Sequence, residues 1–109
     1  MSFYLGINYY FYIYLIDTMK STEELIKDVG RDIVMLLIEK NKAYGDTANH
    51  PPQIFSKLSA KEGILARIDD KLSRIKNKGI NDNTEDSVKD LIGYLILLKV
   101  QLKKEKQNK

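Results

Sequence analysis

Between Gly63 and Ile75 the chain carries two stripes at helical spacing, and together they constrain its fold more than any other segment does. Ile64, Leu65, Ile68, Leu72 and Ile75 recur at steps of three and four, as on a helix face turned to a core. Arg67, Asp70, Lys71 and Arg74 recur at i, i+3, i+4 and i+7 on another flank. The apolar stripe predicts a helix, and the charged one has two readings. Alternating signs along a helix usually form solvated ion pairs worth roughly 0.2–0.5 kcal/mol each, with Asp70 a node between Arg67 and Arg74. The other reading is a surface that binds something charged.

The flanking sequence extends the helical pattern. Ser21-Thr22-Glu23-Glu24 has the form of an N-cap with a glutamate three residues on. Leu25, Val29, Ile33, Leu36 and Leu37 then mark a helix face running to about Lys42, weakened but not ended by Gly30. Asn41 to Gln53 reads as a loop, because Pro51 and Pro52 stop a helix and favour an extended path. A second helix is predicted from near Ile54 to about Asn77, and Lys78 to Asn83 is a turn by composition. Asn83 or Thr84 is placed to cap a third helix, with Glu85 and Asp86 in its first turn, where the dipole favours acids.

That third helix is apolar on nearly every side from Leu91 to Val100. Ten residues are too few for a bilayer span of ~20, so a subunit interface is expected. With 109 residues the chain is one domain with a modest core. The fold class predicted is all-α: a small bundle of three main helices, completed by homo-oligomerisation.

The composition breaks near Asp17. Seven of the ten aromatic residues fall between Phe3 and Tyr14, which sets residues 1–18 apart as a leader and places the helical domain at 19–109. The leader lacks a basic n-region and a small-residue cleavage site, and it is short for a membrane span. Its tyrosine and isoleucine content favours a strand or an extended segment, and it reads as an upstream extension of the domain.

Several chemistries are excluded at once. The absence of cysteine removes disulfides, thiolate metal sites and thiol catalysis. A lone His50 before Pro51-Pro52 argues against a multi-histidine metal centre. The net charge of +3 is small, and Lys99, Lys103, Lys104, Lys106 and Lys109 gather at a helix end where the macrodipole accounts for them, so nucleic acid is not the expected partner.

Asp86, Asp90 and Tyr94 follow at i, i+4 and i+8, which sets two carboxylates side by side at a spacing suited to Mg²⁺. The second and third helices, joined by a short turn, should pack antiparallel and bring the charged stripe toward these carboxylates. Asp70 would then add a third oxygen ligand, while Arg67, Lys71 and Arg74 would meet phosphates. Interhelical salt bridges are the competing outcome.

Three blocks carry a resemblance. Asn41-Lys42-Ala43-Tyr44-Gly45-Asp46, the run Gly63 to Arg74, and Glu85 to Tyr94 together resemble the nucleotide-modification-associated domain of phages and bacteria. That family has a lysine and Tyr-Gly after its first helix, Arg-Ile-x-Asp-Lys-x-x-Arg on its second and Asp-x-x-x-Asp-Leu-x-x-Tyr on its third. The resemblance spans about Glu23 to Leu98. It implies a phage-type, cytoplasmic protein of a bacterial host that binds a nucleotide or nucleotide-derived ligand, with Lys42 and Tyr44 at base or sugar. Tyr44 packing on the core beside Gly45 is the alternative. The layout is also similar to the MazG-like Mg²⁺-dependent nucleotide pyrophosphohydrolases, but the Glu-x-x-Glu pair of those enzymes is missing from the second helix. Catalysis and non-catalytic sequestration of a signalling nucleotide both remain open.

Overall fold

The computed structural model describes residues 9–108, and all regular structure among them is helical. The helices are α1 (Tyr9–Thr18), α2 (Thr22–Ala43), α3 (Ala60–Lys78) and α4 (Ser87–Gln107). The chain divides into two compact units, Met1–Asp32 and Ile33–Lys109, and the compositional break near Asp17 lies inside the first.

In the first unit the expected extended leader is overturned where it can be seen: Tyr9 to Ile16 are helical, while Phe3 to Asn8 lie outside the described residues. The backbone supplies the reason. A lone strand leaves its N–H and C=O groups unpaired, and no strand exists among the described residues to receive them; a helix satisfies them within the segment. The tyrosines of α1 remain exposed. The Phe11 and Tyr14 rings stack one turn apart, 6.4 Å between centroids. Ser21 caps α2 as predicted, its hydroxyl accepting the Glu24 N–H at 3.1 Å.

In the second unit α3 and α4 run antiparallel, as Lys61–Glu105 (3.6 Å) pairs their distant ends and Lys71–Asp90 (3.0 Å) their near ends. The end of α2 packs on α4 at Gly93, where a Cβ would lie only 3.3 Å from Leu37 Cδ2. Few apolar side chains are fully enclosed; Ile33 of α2 and Ile64 of α3 are the buried ones among the described residues. The predicted all-round burial of α4 is partial: Leu91, Ile96, Leu97 and Leu98 are half-buried, whereas Val88, Ile92, Leu95 and Val100 are exposed.

Two helix starts differ from expectation, each because a better cap lies further on. α3 begins at Ala60 rather than near Ile54, since Ser59 accepts the Glu62 N–H at 3.2 Å and so satisfies an otherwise orphaned donor. α4 begins at Ser87, with Asp86 as its N-cap accepting the Lys89 N–H at 2.9 Å. Thr84 is instead drawn into a turn by Asp82, which accepts both its N–H (2.9 Å) and its hydroxyl (2.6 Å).

Candidate functional site

A cleft of about 930 Å³ opens in the second unit, walled by the end of α2, the loop that follows it, and the facing sides of α3 and α4. Its floor is apolar, from Ile33, Leu37, Ile64 and Leu97, because these are the inward positions of three amphipathic helices. Gly63 keeps one wall open, since nothing lies within 4 Å of where its Cβ would be. Tyr44 and Tyr94 add aromatic edges. The volume lies within the range of small-molecule sites.

The loop wall is held by its own bonds. Gln53, at φ 53°, donates its side-chain amide to the carbonyls of Lys57 (3.3 Å) and Leu58 (3.0 Å), and Lys57 Nζ donates back to the Gln53 carbonyl at 2.9 Å. This clasp turns Ile54 and Phe55 outward. Nearer α2, Asp46 accepts from Asn49 Nδ2 and meets His50 Nδ1, each at 2.9 Å. The Asn49 bond leads in holding the Asp46 carboxyl below its ordinary range, with burial opposing and His50 and Lys104 assisting.

The charges of the cleft are unbalanced. Lys40 of α2, Arg67 of α3 and Lys89 of α4 all line it, and among the described residues none of them forms an ion pair. The only carboxylate lining it among the described residues, Asp90, is already held by Lys71 at 3.0 Å.

A shallower recess on the neighbouring surface of α3 is arranged in the opposite way. Lys71, only 16% exposed, reaches Glu85 and Asp90, both at 3.0 Å. Burial draws the Lys71 ammonium down, but hydrogen bonds to Asp90 and Glu85 outweigh it and leave the group above its ordinary range. Arg74 donates to Asp82 at 2.8 Å, approaches Glu85 at 3.0 Å and bonds the Thr84 hydroxyl. Asp82, its side chain 6% exposed, is held well below the usual carboxylate range, first by the Thr84 hydroxyl, then by the Thr84 N–H and Arg74.

The residues singled out in the sequence therefore separate. Tyr44, Arg67, Asp90 and Tyr94 line the cleft, while Arg67, Asp70, Lys71 and Arg74 line the recess, so that Arg67 belongs to both. Lys42 and Asp86 line neither. Asp86 is occupied as a cap and Asp90 as an ion-pair partner, and no group of three or more acidic or histidine side chains among the described residues is gathered to hold a metal ion. Sequence reasoning missed Lys40, Lys89 and Phe55 in the cleft, Glu85 in the recess and Asp82 as the partner of Arg74. Asp82-x-Thr84 was legible as a side-chain-bonded turn, and Lys40 lies one helical turn before Tyr44.

No protein-family model, curated protein or solved structure matches the chain.

Proposed function

We propose that the cleft binds a nucleotide or nucleotide-derived ligand, with phosphates at Lys40, Arg67 and Lys89 and the base or sugar beside Tyr44 and Tyr94. The observation that supports this is the charge imbalance: three cations without ion-pair partners among the described residues line a largely apolar cleft whose carboxylate is already neutralised. Lys40 and Arg67 are exposed and Lys89 is half-buried, so water hydrates them in the free protein, and a polyanion entering the cleft would gain charge-assisted hydrogen bonds from all three. The reading agrees with the resemblance to nucleotide-modification-associated domains. Mg²⁺, in this reading, arrives on the phosphates, and Asp70, which lines the neighbouring recess with Arg67 and forms no ion pair among the described residues, is the carboxylate that would reach it through water. Lys71 and Arg74, assigned to phosphate by the sequence pattern, act instead as braces between α3 and α4.

Self-association belongs to the same proposal. Val88, Ile92 and Leu95 lie exposed on one flank of α4, and burying them against a second copy would remove them from water. No helix among the described residues is long and apolar enough to cross a membrane.

Thermal melting with each nucleoside triphosphate, with and without Mg²⁺, tests the reading. A ligand present at about 100 times its Kd adds about 2.7 kcal/mol to stability, so the melting temperature should rise by several degrees. A melting temperature unmoved by any nucleotide at millimolar concentration would overturn it.

A further inference from the structure

We infer that Phe55 is a stacking platform for a nucleobase, so that the cleft selects a nucleotide with its base intact over a sugar phosphate or an inorganic polyphosphate; this rests on the reading of the cleft as a nucleotide site. Phe55 lines the cleft wall yet is 97% exposed, and its neighbour Ile54 is 73% exposed. Among the described residues the ring contacts are those of Tyr9 with Tyr10 and Phe11 with Tyr14, so Phe55 stacks on no other ring. A large apolar ring left in water at a cleft wall is unfavourable, and a slack loop would fold it inward.

This loop is not slack. Gln53 holds a positive φ of 53°, rare for a residue with a side chain, and is kept there by its bonds to the Lys57 and Leu58 carbonyls and by Lys57 bonding back. The clasp closes the loop on itself and presents Ile54 and Phe55 away from the protein's own core. Pro51 and Pro52 stiffen the approach to it and line the same cleft.

The wall thus offers an aromatic face and aliphatic edges, whereas the helical walls supply the cations. A sugar phosphate has no planar π-face to lay on the ring and would gain nothing from it. A nucleotide matches both walls, its base stacking on Phe55 in the sequence-tolerant way that aromatic platforms hold bases, and its phosphates meeting Arg67, Lys40 and Lys89. Stacking on a ring face does not choose among bases, so discrimination between them has to come from other groups.

The chain has no tryptophan, so Phe55→Trp introduces a single indole that can be excited at wavelengths the seven tyrosines do not absorb. It should be titrated with ATP, GTP, CTP and UTP, and in parallel with ribose 5-phosphate and inorganic tripolyphosphate. Expected is quenching of the indole by nucleoside triphosphates and none by tripolyphosphate. In calorimetry Phe55→Ala should weaken nucleotide binding at least about tenfold while changing tripolyphosphate affinity less than twofold. The side chain is solvent-exposed, so this variant should melt as the unaltered protein does. Equal affinity for ATP and tripolyphosphate, unaffected by Phe55→Ala, would overturn the platform while leaving anion binding in place. Failure of every one of these anions to bind would overturn both.

Discussion

The cleft and the recess share one helix and one arginine, yet they use charge in opposite ways. In the recess the two central cations of α3 have found acids: Lys71 has Glu85 and Asp90, and Arg74 has Asp82 and Glu85. In the cleft Lys40, Arg67 and Lys89 have none among the described residues, although they lie within the same unit. The lesson is that a charged stripe at regular helical spacing need not have one purpose. Arg67 stands one turn before Lys71, and that turn separates a side chain that remains available from one consumed in holding two helices together.

The comparison is most exposed at Lys71. Replacing it with Met should leave the half-buried Asp90 carboxylate without a cation and Glu85 with Arg74 alone, costing about 1–2 kcal/mol in denaturant unfolding. Nucleotide affinity of the folded fraction should fall only a few-fold, because the freed Asp90 carboxylate lines the cleft while Lys40, Arg67 and Lys89 remain. A Lys71→Met protein of unaltered stability that no longer binds would reverse the roles assigned to the two regions.

Gly63 probes the cleft side more gently. Its Cβ position is open, so Gly63→Ala should raise stability by roughly 0.5–1 kcal/mol through helix propensity alone. A bulkier Gly63→Leu should fill the cleft and compete with ligand without loss of helicity by circular dichroism. Unimpaired binding by Gly63→Leu would place the ligand elsewhere.

The smallest effect concerns acid. Asp82 titrates well below the ordinary carboxylate range in the folded protein, so its contribution is complete above the unfolded value of about 4 and is lost as pH falls from there toward the folded value. Asp46 and Asp28 are lowered as well and act in the same direction. Melting temperature should therefore be level from about pH 5 to about pH 9 and fall steadily below pH 4, with Asp82→Asn showing a shallower decline. A parent and variant that decline in parallel would show that Asp82 carries no acid-labile stability.

Much of the helical layout was readable from capping chemistry. Ser21 with Glu24 marked the start of α2 because serine accepts an orphaned amide there, and Gly45, at φ 65°, stands just past the end of that helix. The same chemistry located α3 less well: Pro51 and Pro52 were read as the break, whereas Ser59 with Glu62 is the cap that decides it. Leader residues Tyr9 to Ile16 have strand-like composition but no strand to pair with among the described residues, a fact of the whole chain rather than of the segment.

At the site, Lys71 and Arg74 of the stripe reach the start of α4 and the turn before it, whereas Arg67 and Asp70 form no ion pair there. The spacing could not tell which acids would be met, because Glu85 and Asp82 sit in the connecting turn, where side-chain direction follows from the Thr84 turn and not from helical periodicity. The aromatic wall was hidden for a similar reason. Ile54 and Phe55 fit the apolar start of a helix, and only the Gln53–Lys57 clasp turns them outward.

The division of labour between the two regions is tested most directly by one paired calorimetric measurement, in which the nucleotide that gives the largest thermal shift is titrated into Arg67→Ala and Arg74→Ala. Both changes remove one guanidinium from the same face of α3, seven residues apart. The account predicts that Arg67→Ala loses about ten- to a hundredfold in affinity with its melting temperature unchanged, while Arg74→Ala melts earlier and binds normally below its transition. Equal loss of affinity in the two variants, or full binding by Arg67→Ala, would contradict it.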